Sequence, residues 1–293
     1  MKKEIITKGY KGFDMNLKCR DFQYEIGKEF ETDKEPARCT ENGFHFCENP
    51  LDVFGYYPVG QSRFTEVEGI GEVSKDGSDT KVAVSKIRIG AEISLHKMIE
   101  AGIKFIFERT TMSKENTNKE DKRHASNSGY RGAASNSGYR GAASNSGNRG
   151  AASNSGDRGA ASNSGDWGAA SNSGDRGAAS NSGDRGAASN SGDRGAASNS
   201  GYRGAASNSG GRGAAVTIGT SSCAETSGKD SFACALGIDN KAKGCIGSWI
   251  ILSEWKETET SWELKTVKSV KVDGKKIKDN TWYQLKGRKL VEV

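Results

Sequence analysis

Apolar residues gather at the two ends of this chain and nearly vanish from its middle. Near the start, Phe22–Ile26, Gly43–Cys47, Arg63–Val67 and Val82–Ile89 have the short apolar or alternating patterns of strands. Asn49-Pro50 ahead of Leu51-Asp52-Val53-Phe54 predicts a helix start with proline in its first turn. Ile93–Arg109 predicts a second helix, and Ser113–Arg123 is charged and polar, as a linker would be. These patterns predict an α+β domain over residues 1–110 and a charged linker over 111–124. At the other end Glu263–Val272 alternates, Asp273-Gly274 is a hairpin signal, and Thr281–Leu285 and Lys289–Val293 follow as strands. Residues 251–293 are expected to form a β-meander cap, with Trp249, Trp255, Trp262 and Trp282 covering the open end of whatever precedes it.

What precedes it is a repeat. From Ala125 to Gly213 the unit Ala-Ser-Asn-Ser-Gly-x-Arg-Gly-Ala recurs ten times with little drift. A flexible Gly/Ser linker could have such a composition. It would not hold a frame once the wording dissolves, yet Ala215, Ala224, Ala233 and Ala242 stay nine apart, as do Gly219, Gly228 and Gly237. Nine residues suit a short strand, Ala-Ala-Ser-Asn-Ser, and a tight turn, Gly-x-Arg-Gly, in which glycine would take the positive φ. Residues 125–250 are therefore expected to form a β-solenoid with two nine-residue strands per 18-residue turn. The diverged part supports 18 over 9. Val216 and Ile218 share slots with Cys234 and Leu236 eighteen residues on, while the unit between them has Glu225 and Ser227. Side chains alternate across a strand. The recurrent alanines and the Asn or Thr two positions later (Asn127, Asn136, Thr217, Thr226) then share one side, assigned to the interior. The fold class is thus mixed: an α+β domain, a central solenoid and a β-rich cap.

Composition refines this picture. The hydrophobic fraction is only 33%, but the deficit lies in the repeats, so it does not indicate general disorder. A net charge of +6 fits an anionic partner without requiring one. The start lacks a signal-peptide pattern and no run approaches a membrane span. The six cysteines form no CxxC pair or dense disulfide framework. A reducing cytoplasm is the expected setting, with no membrane association. The repeat places Arg131, Arg140, Arg149, Arg158, Arg176, Arg185, Arg194, Arg203 and Arg212 at the turns, with Trp167 the exception. In an 18-residue coil they form two columns on opposite edges. Such columns suit a ridge that binds an anion or a partner. They equally suit a solvated edge that blocks aggregation. Tyr130, Tyr139 and Tyr202 beside them could stack on nucleic-acid bases. Val216, Ile218, Phe232 and Leu236 form a candidate apolar contact face. Cys19, Cys39, His45 and Cys47 could supply thiolates and an imidazole to zinc, but their spacing is not that of a zinc knuckle. Walker, HExxH, GxSxG and Rossmann patterns are missing, so no catalytic residue, cofactor or metal is assigned.

Gly9-Tyr10-Lys11-Gly12-Phe13, Cys19-Arg20, Cys39 and the run Gly43-Phe44-His45-Phe46-Cys47-Glu48-Asn49-Pro50-Leu51-Asp52-Val53-Phe54 resemble an uncharacterised domain family of bacteriophage and prophage proteins. Members often continue into similar nonapeptide repeats and end in a hairpin like Val272–Lys275. The resemblance implies a viral or prophage origin and supplies no activity. The small-residue spacing around Ala224, Gly228, Ala233 and Gly237 is also similar to the head repeats of trimeric bacterial adhesins. The order of Tyr10–Phe13, Gly43–Phe46 and Tyr56-Tyr57 is similar to ADP-ribosyltransferases, although no catalytic glutamate can be placed. The expected function is that of a non-enzymatic phage-encoded binding or scaffold protein in the host cytoplasm, acting on a protein partner or through self-association and able to sequester or block a host defence component. An anionic ligand or nucleic acid is a further candidate partner. A virion fibre or adhesion protein, and an ADP-ribosyltransferase-like enzyme, are the alternatives.

Overall fold

The computed structural model describes residues 5–38, 40–59, 61–75, 79–109 and 117–293. The chain divides into two units, Met1–Gly102 and Ile103–Val293.

The first unit is built from β1 (Ile6–Phe13), β2 (Lys18–Cys19), β3 (Phe22–Gln23), β4 (Glu29–Glu31), β5 (Phe44–Cys47), α1 (Pro50–Val53), β6 (Arg63–Lys75) and β7 (Lys81–Glu92), and α2 (Leu95–Arg109) begins in it. Its main sheet runs β4-β7-β5-β1-β6, and β6 also pairs with β7, so four of the five strands close on themselves. Closure runs through β7: its start pairs with the end of β6 on one edge and with β5 on the other, so Val82–Val84 bridge the two. The alternation in β7 sets its faces. Ile87 and Ile89 are fully buried with Phe13, Phe44 and Val67, while Arg88 reaches out to Glu29 and Glu68. The helix start read at Asn49-Pro50 forms as expected: Asn49 accepts the Leu51 N–H at 3.1 Å and Pro50 sits in the first turn.

The second unit is the solenoid, of about eight turns over residues 117–252. Successive units lie in alternate sheets. Ala133–Asn136 pairs in parallel with Ala151–Asn154, eighteen residues on, and Ala142–Asn145 pairs with Ala160–Asn163. The first sheet starts at Thr117–Asn118, so the coil begins inside the stretch expected to be a linker. Of this rung only Asn118, in the asparagine slot, keeps the repeat wording, which explains why the sequence hid it.

The interior is the assigned one. Ala134, Ala143, Ala152 and their successors are 0–1% exposed, and Asn136 through Asn208 are buried with them. Alanine buries too little area to hold a core at ~25 cal/mol per Å². Hydrogen bonds carry more of the load. N–H groups meet carbonyls of the adjacent coils, as in Ser146 N–H to Asn127 O at 3.0 Å. The buried asparagines satisfy the turns: Asn145 Nδ2 donates to Gly132 O at 2.9 Å, and Asn163 Nδ2 to Gly150 O at 3.1 Å.

The turns correct one expectation. Positive φ falls on the arginine, between 53° and 59° at every repeat position, Trp167 included, and not on either glycine. The glycines are required for space. A Cβ on Gly147 would stand 2.0 Å from Gly129 O in the neighbouring coil, and one on Gly150 would stand 2.2 Å from Asn145 Oδ1. The first glycine admits the next backbone, and the second admits the asparagine.

The end of the solenoid also departs from the expected meander. Trp249–Glu257 continues one sheet and pairs antiparallel with Trp262–Lys271, whereas Tyr283–Lys286 joins the other sheet at Ala242 and pairs with Lys289–Glu292. Asp273-Gly274 therefore redirects the chain between sheets instead of closing a hairpin, with Asp273 Oδ1 accepting the N–H groups of Lys275, Lys276 and Ile277. Ile250, Leu252, Val272, Tyr283 and Leu285 plug the alanine core. Trp282 is buried, but Trp249 and Trp262 point outward, 38% and 43% exposed, because their strand positions fall on the outer side of the pleat.

The two kinds of turn residue should respond oppositely to substitution. Gly174→Ala, whose Cβ would lie 2.2 Å from Gly156 O, is expected to destabilise by roughly 1–3 kcal/mol. Arg176→Gly relieves a left-handed residue and should stay within about 1 kcal/mol of the parent or exceed it. Thermal and urea unfolding followed by circular dichroism check both.

Candidate functional sites

The first unit contains a cavity of about 850 Å³, a volume typical of small-molecule sites. β1, β2, β5 and the segment after α1 bring Lys11, Cys19, His45 and Tyr57 to it. Gly12 makes the arrangement possible, since a Cβ there would lie 2.4 Å from Tyr57 Cγ. With that space free, Tyr57 brings its hydroxyl to 2.7 Å from Cys19 Sγ. Lys11 is only 3% exposed. Its Nζ donates to His45 O at 2.7 Å, lies 3.7 Å from Cys19 Sγ, and sits 5.0 Å from the centre of the Tyr24 ring. Burial pulls the Lys11 amine below the ordinary lysine range, partly offset by Cys19. Burial likewise lowers His45, whose Nε2 is 3.2 Å from Ala37 O, and raises the Tyr57 hydroxyl, reinforced by its hydrogen bond to Cys19. Tyr57 is therefore a donor to Cys19. Across the cavity the Asp79 carboxylate accepts hydrogen bonds from Tyr56 and Arg38.

Of the four residues considered for zinc, Cys39 lies outside the described residues. Cys19 faces Lys11 and Tyr57, and Cys47 is buried with its thiol pushed up by desolvation. Among the described residues no three His, Cys, Asp or Glu side chains gather around a point where a metal could sit. The sequence drew attention to the cysteines through their chemistry. It gave no signal that Lys11 would be buried beside them, because a lysine between Tyr10 and Gly12 reads as an exposed strand residue.

On the solenoid the arginines form the two expected columns. Arg140, Arg158, Arg176, Arg194 and Arg212 line one edge, and Arg131, Arg149, Arg185 and Arg203 the other, at the ~4.8 Å spacing of stacked strands. On the second edge Trp167 takes the arginine slot, with the Arg149 and Arg185 guanidinium groups 5.6 and 4.7 Å from its ring. The five aspartates between them have a specific task. Asp157 Oδ1 accepts the Asp175 N–H at 3.1 Å, Asp175 Oδ1 accepts that of Asp193 at 3.0 Å, and Asp193 Oδ1 accepts that of Gly211 at 2.7 Å. Asp166 and Asp184 do the same on the other edge. Asn148 and Asp121 extend the pattern, so an oxygen at this position is what the coil uses. Among the described residues no ion pair joins Arg158, Arg176, Arg194 or Arg212 to these carboxylates. Together they border a shallow groove of about 670 Å³ that ends at Lys229 and Asp230.

The apolar face is assembled as the 18-residue period requires. Val216 pairs with Cys234 and Ala214 with Phe232 on the outer side of one sheet. Ile218 is 61% and Phe232 42% exposed, while Val216 and Leu236 are half-buried. On the other sheet the corresponding outward residues are Glu225 and Lys243, joined as an ion pair at 3.5 Å.

Fold and sites thus define a protein in two parts, a small closed-sheet unit with a cavity open to solvent and a β-solenoid with charged edges. Residues 7–101, which lie within or beside the first unit and end before the solenoid, match a family described as a domain of unknown function (DUF7666). No curated protein and no solved structure matches the chain. Among the described residues no helix is long and apolar enough to cross a membrane.

The aspartate ladder gives a direct expectation. Asp175→Ala orphans the Asp193 N–H and should lower the unfolding midpoint by roughly 2–4 °C. Asp175→Asn keeps the accepting oxygen and should leave the midpoint near that of the parent. Thermal unfolding of the two variants at constant pH and salt separates loss of the acceptor from loss of charge.

Proposed function

We propose that this chain is a non-enzymatic binding or scaffold protein, encoded by a bacteriophage and acting in the host cytoplasm, whose solenoid holds the acidic surface of a protein partner along its arginine columns. The observation that carries this reading is the division of labour at the turns. The aspartate oxygens serve the coil, while the guanidinium groups of Arg158, Arg176, Arg194 and Arg212 are left without a carboxylate partner. A guanidinium offers planar, paired donors suited to carboxylates. Repetition at a fixed spacing turns individually weak contacts into an avid array. A backbone-locked coil presents that array without paying the ordering entropy a flexible basic tail would lose. Such a rod suits sequestering or blocking a host component, defence proteins included. The phage and prophage resemblance supports the setting.

Affinity capture with the full chain from lysate of an infected host tests the proposal. The parent should retain one partner stoichiometrically, and that partner should be lost with Arg158→Glu/Arg176→Glu/Arg194→Glu but kept with Ser162→Ala/Ser180→Ala on the outer serine face. Equal retention by the charge-reversed chain, or no partner above a control bead, overturns it. Co-purification with virions in place of a host protein supports the fibre alternative instead.

A further inference from the structure

Lys11 has an unusual electrostatic position. Its ammonium is buried in the first unit, yet among the described residues no carboxylate lies within ion-pair reach of it. Its hydrogen bonds go to one backbone carbonyl, His45 O, and at longer range to the Cys19 sulfur. The remaining neighbours are the faces of Phe13 and Tyr24, at 5.5 and 5.0 Å. Buried charges in folded proteins are ordinarily paired, because an unpaired one costs several kcal/mol of lost hydration. An ammonium has three N–H donors, and these partners leave one of them unused. Lys11 also lines the cavity of about 850 Å³. The walls of that cavity include Phe22, Tyr24, Phe44, Tyr56 and Tyr57, of which Phe22, Tyr24 and Phe44 stack edge-to-face or tilted at 4.7–6.2 Å. Arg20, Lys34 and Lys81 stand among its lining residues, together with Asp21, Glu31 and Glu41.

We propose that this cavity is a binding site for a small aromatic anion, whose carboxylate or phosphate pairs with Lys11 Nζ and whose ring lies against the aromatic wall. The geometry matches the two halves of such a ligand. The planar body gains from stacking and from leaving water, and the anionic group supplies the counter-charge that the fold withholds from Lys11. The depressed Lys11 amine agrees with this, since desolvation without a counter-ion is its first cause. Tyr57, whose single O–H is given to Cys19, holds that sulfur beside the ammonium. The site is separate from the solenoid edges and stands or falls independently of the partner proposed for them.

Calorimetric titration of the full chain with benzoate and phenyl phosphate, against benzamide and phenol as neutral analogues, tests the assignment. At least one anion should bind, at least about tenfold more tightly than its neutral analogue, and Lys11→Met should abolish that preference in a chain whose circular dichroism is unchanged. A measurement on the parent protein alone guards against a misfolded variant. Cys19 lies beside Lys11 in the cavity, so its alkylation by iodoacetamide, read site by site by mass spectrometry, should slow several-fold with the preferred anion and not with its neutral analogue. Binding of neither anion, equal binding of the neutral analogues, or unprotected Cys19 at saturating anion overturns the proposal.

Discussion

Everything in the solenoid depends on how closely one coil approaches the next. Backbone hydrogen bonds fix that approach at about 4.8 Å, and the first glycine of each repeat makes it possible. Where the next carbonyl passes within 2.2 Å of a would-be Cβ, as at Gly165 and Gly183, only glycine fits. Once the glycines are committed to packing, the left-handed turn position passes to the residue between them. The repeat therefore tolerates arginine, tryptophan, serine and aspartate at positive φ, as at Arg176, Trp167, Ser221 and Asp230. That position costs an L-residue on the order of 1–2 kcal/mol. The ladder of hydrogen bonds through every turn, such as Arg158 N–H to Asp175 O at 2.8 Å, holds it in place.

The same constraint separates structural from displayed chemistry. Inward positions are alanine and asparagine because nothing larger fits between the two sheets, and the asparagine amides close the turns. The residue before arginine can serve the coil whenever it has a suitable oxygen. The arginine, pointing away from both sheets, is fixed in place by its backbone, and its guanidinium either rests on a neighbouring ring, as in Arg149 and Arg185 on Trp167, or borders the groove, as in Arg176 and Arg194. A charged surface thus emerges at fixed spacing from a core that holds almost no large apolar residues. Large apolar side chains return only where the coil ends, at Ile250, Leu252 and Val272, since the last rung has no successor to cover it.

The first unit follows different rules. Its core is a packed set of aromatic and branched residues, including Phe13, Phe44, Ile87 and Ile89, and its chemistry lies in a cavity instead of a surface array. Lys11, Gly12 and Cys19 are close in sequence, but Tyr57, 38 residues beyond Cys19, meets them only because β1 and β2 are brought against the segment after α1. The result is a lysine held among rings and a sulfur, a placement set by packing that no local pattern foreshadows.

Period alone determined much of this protein. The persistence of Ala215, Ala224 and Ala233 through diverged wording predicted a folded coil, and the match of Val216 with Cys234 predicted its 18-residue turn. Alternation then placed Ala and Asn inside. These inferences succeed because a stacked repeat contacts only its neighbours, so its long-range geometry is a local pattern written many times. Three features needed the tertiary structure. The role of the first glycine in each repeat depends on a backbone eighteen residues away. The capping strands part to different sheets because each sheet presents its own open edge. The burial of Lys11 depends on strands and loops that meet only after the first unit closes. In each case the deciding neighbour is remote along the chain, so nothing in the local sequence records the contact.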